Sequence, residues 1–187
     1  MSNEAQIQLV DHNGELLGYC DKLAAHQDGG KLHRAVSVLL VNSAGEVLIQ
    51  RRAEQKYHFA GQWANSCCTH PYGDESPIDA AKRAMATELG VTGVDAKEVA
   101  QFVYRACDRA TGLWEHEYDH LFCGRYDGEP SPDPAEVSAI RWVTPQFLVN
   151  ELRESPDAYA PWLHEIVRVL EPLGSSFFEP FANPSKS

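Results

Sequence analysis

Cys68 and His70 stand two residues apart in Asn65-Ser66-Cys67-Cys68-Thr69-His70-Pro71, and three distant fragments can complete them: Ala25-His26, Leu32-His33 and Trp114-Glu115-His116-Glu117. On a strand the residue between Cys68 and His70 points to the opposite face, so the thiol and the imidazole share one. Glu115 and Glu117 share a face by the same alternation. A fold that gathers these fragments offers three imidazoles (His26, His33, His70) and two carboxylates (Glu115, Glu117) to a metal ion. The Cys68 thiol is left over and can handle protons.

At 187 residues the chain fits one domain, and a domain of about 150 residues already buries roughly 70% of its unfolded surface. The net charge of -11 disfavours nucleic acid and anionic membranes as partners, because both need a basic face. An anionic ligand then requires a local basic cluster, or metal ions, to overcome that field. No apolar run approaches the roughly 20 residues that span a bilayer. The first residues, Met1 to Gln6, have neither a basic nor an apolar signal segment, so a cytoplasmic protein is expected. The five cysteines (20, 67, 68, 107 and 123) lack zinc-ribbon spacing. The adjacent Cys67 and Cys68 could pair only through a strained ring, so reduced thiols are expected.

Ile7 to Val10 and Leu16 to Cys20 read as two strands joined at Asp11-His12-Asn13-Gly14, a hairpin turn. A short helix is expected over 21–26, then strands over 35–41 and 46–51, and a strand-like segment over 63–69. Ser76 caps a helix with Pro77 in its first turn, Ala80, Ala81, Ala84, Met85 and Leu89 form its stripe, and Gly90 stops it. Extended segments follow over 98–105, 113–126 and 139–143, with a loop rich in Pro, Gly and acid over 127–134. Helices over 145–153 and 159–170 close a single domain, 1–170. The tail 171–187 reads as coil, with Phe177, Phe178 and Phe181 able to dock on the body. The pattern is α+β: a mixed sheet flanked by helices, an α/β/α sandwich with additional N-terminal strands.

The segment from Gly73-Asp74-Glu75 to Arg83-Ala84-Met85-Ala86-Thr87-Glu88-Leu89-Gly90-Val91 resembles a Nudix box, G-x5-E-x7-R-E-U-x-E-E-x-G-U with U apolar. Glu75, Arg83, Glu88, Gly90 and Val91 match, whereas Thr69, Ala84 and Thr87 stand where the pattern has Gly, Glu and Glu. Nudix hydrolases hold Mg²⁺ against a diphosphate with those helix carboxylates, so the losses disfavour hydrolysis. From Ile7 to Leu170 the chain is similar to the type 1 isopentenyl-diphosphate isomerases, a Nudix branch. The strings that carry this are Lys22-Leu23-Ala24-Ala25-His26, Lys31-Leu32-His33, Arg51-Arg52 with Lys56, Gly61 to Pro71, Tyr104-Arg105-Ala106, Glu115-His116-Glu117 and Pro161-Trp162.

That resemblance implies interconversion of isopentenyl and dimethylallyl diphosphate: protonation of an alkene, a tertiary cation-like state, and loss of a proton from the adjacent carbon. Such chemistry needs an acid and a base on opposite sides of the substrate, and exclusion of water. Cys68 would be one of the pair, and Glu117, close to Tyr104, the other. Trp162 would offer its ring face to the cation, worth about 2 kcal/mol or more in a dry site. His26, His33, His70, Glu115 and Glu117 would hold Mn²⁺ or Zn²⁺, since mixed nitrogen and oxygen donors suit transition metals better than Ca²⁺. Lys22, Arg52, Lys56 and Arg83 would meet the diphosphate, with Mg²⁺ held by Glu88 and phosphate oxygens. Ala84 would remove a polar side chain beside the diphosphate. The partner is then a small diphosphate, and the protein a monomer or weak homodimer.

Two other functions fit less of the sequence: a Nudix hydrolase of a nucleoside diphosphate derivative, and a non-catalytic Nudix-like binding module. Cys67 reads as a small buried hydrophobe, and His58, His116, His120 and His164 as surface or capping residues.

Overall fold

The computed structural model describes residues 6–173. β3 (His33–Val41) is the spine of a nine-stranded sheet. Along one edge it pairs antiparallel with β1 (Gln6–Val10) at its start, with β6 (Cys67–Thr69) in its middle, and with β4 (Val47–Arg52) at its end. Along the other it runs parallel to β8 (Trp114–Arg125) over its whole length. β2 (Leu16–Asp21) extends β1, β7 (Lys97–Cys107) extends β8, and β5 (Trp63–Ala64) and β9 (Val137–Val143) pair with β4.

β3 is apolar on both faces because helices cover both, as a parallel pairing within a sheet requires. Val36, Val38 and Leu40 pack with Ala80, Ala81, Ala84, Met85 and Leu89 of α2 (Pro77–Leu89). The opposite face of the sheet, with Leu39, Leu121 and Cys123, meets Trp162, Ile166 and Leu170 of α4 (Pro161–Leu170). α3 (Pro145–Glu154) closes one end through Leu148 and Leu152, beside Leu163 of α4. The helix–sheet–helix arrangement is the expected sandwich.

Several strand ends shift by one or two residues, β3, β7 and β9 among them, and three other segments differ as follows. The segment 63–69 is two short strands, because Asn65 and Ser66 turn their side chains inward to bond backbone groups of β3 and β4. The last helix starts at Pro161, after a 3-10 turn over Pro156–Ala158. Glu171–Leu173 form a second 3-10 turn where coil is expected, and Phe177, Phe178 and Phe181 lie outside the described residues.

Two junctions hold the site's frame. α1 (Lys22–His26) is a single turn, capped by Asp21 Oδ1 accepting from Ala24 N at 3.1 Å. It is followed by Gly30 at φ 77°, where a Cβ would lie 3.0 Å from that of Trp114, so only glycine lets this loop approach β8. At the far end of α2, Gly90 is left-handed, and Ser131 N and Asp133 N donate to the carbonyls of Leu89 and Glu88. The acidic 127–134 loop thereby satisfies the helix's last carbonyls.

Candidate metal centre and catalytic cavity

The register of β8 assembles half of the centre. Glu117 lies level with His33 of parallel β3 and opposite Tyr104 of antiparallel β7, and Glu115 shares its face. α1 brings His26, and His70 follows the last residue of β6. One ligand atom from each of His26, His33, His70, Glu115 and Glu117 lies within 4.8 Å of the others, and all five residues are buried.

Second contacts fix the imidazole tautomers. His26 Nδ1 donates to Lys22 O at 2.6 Å and His33 Nδ1 to Lys31 O at 2.7 Å, which leaves both Nε2 lone pairs bare. His70 Nε2 lies 3.2 Å from His33 Nε2 and 2.9 Å from Glu117 Oε1. His26 Nε2 and Glu115 Oε2 face each other at 3.0 Å, yet neither makes a hydrogen bond. Buried lone pairs converging with no proton between them fit a cation bound by nitrogen and oxygen donors. Burial alone would raise Glu115, but His26 and His58 outweigh it and hold the carboxyl well below its usual range. Glu117 is also held low: burial and Glu115 push it up, and the neighbouring His33 and His70 imidazoles prevail.

Tyr104 donates its hydroxyl to Glu117 Oε2, and burial pushes that phenol far up, so it stays a donor. Burial pushes the Cys68 thiol up to about 12 despite the opposing Arg52 charge, 3.9 Å from its sulfur. Cys68 is therefore a thiol near neutral pH. Trp162 is buried, donates Nε1 to Asn65 Oδ1 at 2.8 Å, and carries the Arg52 guanidinium 5.1 Å over its ring.

Cys68, Tyr104, Glu115, Glu117 and Trp162 line one cavity of about 270 Å³, together with Lys22, Arg52, Lys56, Arg83 and Glu88. Arg52 is buried and fixed by the carbonyls of His58 (3.1 Å) and Phe59 (3.2 Å), unlike a solvated surface cation. Lys56 is ion-paired with Glu136, and Lys22 is lowered by burial and by Lys56. Arg83 grips Glu75 through two nitrogens at 2.9 and 2.8 Å and donates to His70 O at 2.9 Å, so it braces the centre as well as bordering the cavity. Glu88 accepts from Gln50 Nε2 at 3.1 Å, and burial raises it to about 7.

Three expectations need correction. Ala84 does not face the cavity: it is buried in the α2 core against the sheet. His58 is buried, with Nε2 donating to Glu115 Oε1. His120 is buried too, on the opposite face of β8, between Arg34 Nη1 (2.6 Å) and Glu98 Oε1 (2.6 Å). His116 and His164 cap backbone carbonyls as expected. The clue to His58 was its run of aromatics, Tyr57-His58-Phe59, directly after Lys56 in an otherwise polar loop. The 127–136 loop also contributes where no role was foreseen, through Asp133 and Glu136 at the cavity wall.

The helix-flanked sheet and the box on α2 define the Nudix class, and the NUDIX domain model matches residues 31–166. A crystal structure of a Deinococcus radiodurans protein superposes with a TM-score of 0.73 over 89% of this chain and 99% of its own, at 23% identity. A MutT protein from Methanosarcina mazei gives 0.59 over 83% and 96%, at 20% identity. These two share the fold. The isopentenyl-diphosphate Delta-isomerase of Nocardia farcinica is 48% identical over 88% of this chain and 94% of its own length. That of Halorhodospira halophila is 42% identical over 87% and 93%. The chain belongs to the isopentenyl-diphosphate Delta-isomerase family.

Proposed function

We propose that the chain interconverts isopentenyl and dimethylallyl diphosphate, with Cys68 and Glu117 as the proton-transferring pair. The observation that carries this is one cavity that brings two chemistries together. Four cations, Lys22, Arg52, Lys56 and Arg83, border it together with a thiol, a tyrosine-bound carboxylate and an indole. The cations bind the diphosphate and supply the local positive field that a chain of net charge -11 otherwise lacks. Glu88, when ionised, would join them by holding a Mg²⁺ that arrives on the phosphates.

Within this cavity Cys68 carries its proton near neutral pH, and Glu117 is held ionised with Tyr104 donating to it. One group adds a proton to the alkene and the other removes one from the neighbouring carbon, so the substrate gains and loses one proton with no redox change. Trp162 presents an aromatic wall to the cation between those steps and helps to exclude water. His26, His33, His70, Glu115 and Glu117 would hold Mn²⁺ or Zn²⁺, which would supply a fixed positive charge beside Glu117. No helix among the described residues is long and apolar enough to cross a membrane. A monomer or weak dimer in a reducing cytoplasm suits the free Cys68 thiol.

The test is turnover of isopentenyl diphosphate in deuterated water with Mg²⁺, before and after removal of tightly bound metal. Deuterated dimethylallyl diphosphate, formed only by the metal-replete protein, is the expected result. Released phosphate without isomer, or no reaction in a folded, metal-replete sample, would overturn the reading.

A further inference from the structure

His58 is a buried imidazole that the proposed chemistry leaves idle. Its Nε2 meets Glu115 Oε1, whereas its Nδ1 is buried with no partner. This reverses the arrangement at His26 and His33, where Nδ1–H goes to a backbone carbonyl and Nε2 is bare. An ionised carboxylate oxygen only accepts, so the proton on His58 must sit on Nε2. A nitrogen carrying that proton has no lone pair for a metal, so His58 stands behind Glu115 and outside the ligand set.

The backbone holds it there firmly. Arg52 donates from Nη2 to His58 O at 3.1 Å and from Nε to Phe59 O at 3.2 Å. Phe59 N donates to Asp108 Oδ2 at 3.0 Å, and Phe59 takes a left-handed φ of 47° while its ring is buried. A bulky residue in that region marks a conformation the surroundings enforce, and such sites cluster at functional centres.

We propose that His58 is a positioning residue of the metal centre: by donating to Glu115 Oε1 it turns the other oxygen, Oε2, toward the ion beside His26 Nε2. The inference rests on the five-residue metal reading. It also ties that centre to the proposed diphosphate cations, because the guanidinium that fixes His58 O is one of the cavity's four. Substrate cation and metal carboxylate are thereby set by one short loop, 52–59.

The experiment measures Zn²⁺ affinity by chelator competition, and the visible spectrum with Co²⁺, on the full chain. Tight binding in the unaltered protein that is lost in His33→Ala establishes the centre. Without it, the metal reading fails and this inference with it. Given the centre, His58→Phe is expected to weaken Zn²⁺ by about 10–100-fold, the usual effect of losing a partner behind a metal ligand. The metal-free variant loses a buried hydrogen bond and should unfold somewhat earlier than the parent, whereas the shape of its Co²⁺ spectrum should stay as it was. His58→Gln, whose amide can reach the same carboxylate oxygen, should recover affinity to within about threefold of the parent. Unchanged affinity in His58→Phe overturns the proposal. So does a Co²⁺ spectrum that loses a nitrogen donor in both variants, which would make His58 a ligand. Should His58→Phe fail to fold, nitrogen NMR of the zinc-loaded parent decides: a proton on Nε2 supports the proposal and a bare Nε2 refutes it.

Discussion

Asn65 is the side chain on which the indole's placement depends, and Asn65→Leu tests that directly. Asn65 is fully buried, accepts from Trp162 Nε1 at 2.8 Å, and donates from Nδ2 to Cys67 O at 2.7 Å and Val38 O at 3.1 Å. Leucine keeps the volume and removes all three bonds. Val38 O retains the Ser66 amide at 3.1 Å, so that loss is the mildest. The stranded Trp162 N–H costs about 1–3 kcal/mol, and the two other hydrogen bonds about 0.5–1.5 kcal/mol each. The total of about 2–6 kcal/mol lowers the unfolding midpoint by roughly 5–20 °C in a domain of this size. Trp162→Phe strands the other half, Asn65 Oδ1, at about 1–3 kcal/mol. With both replaced, neither partner is left alone, so the double variant should lose about 1–3 kcal/mol less than the sum of the single losses. Urea unfolding at constant slope measures all three. A loss below about 1 kcal/mol in Asn65→Leu, or additivity within about 0.5 kcal/mol, would refute the argument. Turnover of Asn65→Leu well below its midpoint should also fall, with its metal content unchanged.

Three further outcomes follow from the same cavity. Cys68→Ala should abolish turnover and leave metal content and folding intact; near-normal turnover would remove the thiol from the mechanism. Glu88 has a folded pKa of about 7, above the ordinary 4.5, so its ionisation opposes folding. Its stabilising contribution is complete below about pH 4.5 and is lost as pH rises through 7. Glu88→Gln stays neutral throughout, so the variant should gain on the parent between pH 5 and 8, by about 1–2 kcal/mol after discounting for partial exposure. In the proposed mechanism Mg²⁺ and diphosphate bind the ionised form, so activity of the parent should fall as pH drops below about 7. A flat stability difference across that range would refute the assignment.

The helices and the shared face of Glu115 and Glu117 were legible in sequence because each follows from a short period, whereas the gathering of His26, His33 and His70 beside them and the closeness of Tyr104 to Glu117 were what the family resemblance implied. Side chains two apart on β8 share a face, and the apolar stripe of α2 repeats with helical spacing. What was not legible depends on loops whose path no period sets. His58 and Phe59 are placed by Arg52 and Asp108, Glu136 by its pairing with Lys56, and the inward turn of Asn65 by hydrogen bonds to β3. His120 is buried because Arg34 crosses from β3 to meet it, a contact set by the parallel β3–β8 register. Ala84 was misread for a different reason. Matching it to a motif position said which residue type was missing, whereas its burial depends on how α2 is rolled against the sheet.

That roll decides what would happen if the missing carboxylates were returned. Ala84 is 1% exposed and packs with the sheet, so Ala84→Glu drives a carboxylate into an apolar layer. An ion there costs several kcal/mol even after relaxation, and this variant should lose about 3 kcal/mol or more. Thr87 is exposed, borders the cavity, and spends its hydroxyl on Arg83 O at 2.9 Å, so Thr87→Glu should change stability by about 0.5 kcal/mol or less. Its effect is electrostatic: a second negative charge beside Glu88 raises that residue further above about 7, and the acid limb of the activity profile moves up in pH. Neither variant should release phosphate from the diphosphate. Thr87→Glu supplies one carboxylate at the cavity and Ala84→Glu supplies none that the folded helix can present. Phosphate release by Thr87→Glu would show that one restored ligand suffices, and full stability of Ala84→Glu would show that α2 can roll. Either result would mean that this helix retains a hydrolase geometry, which its buried alanine otherwise excludes.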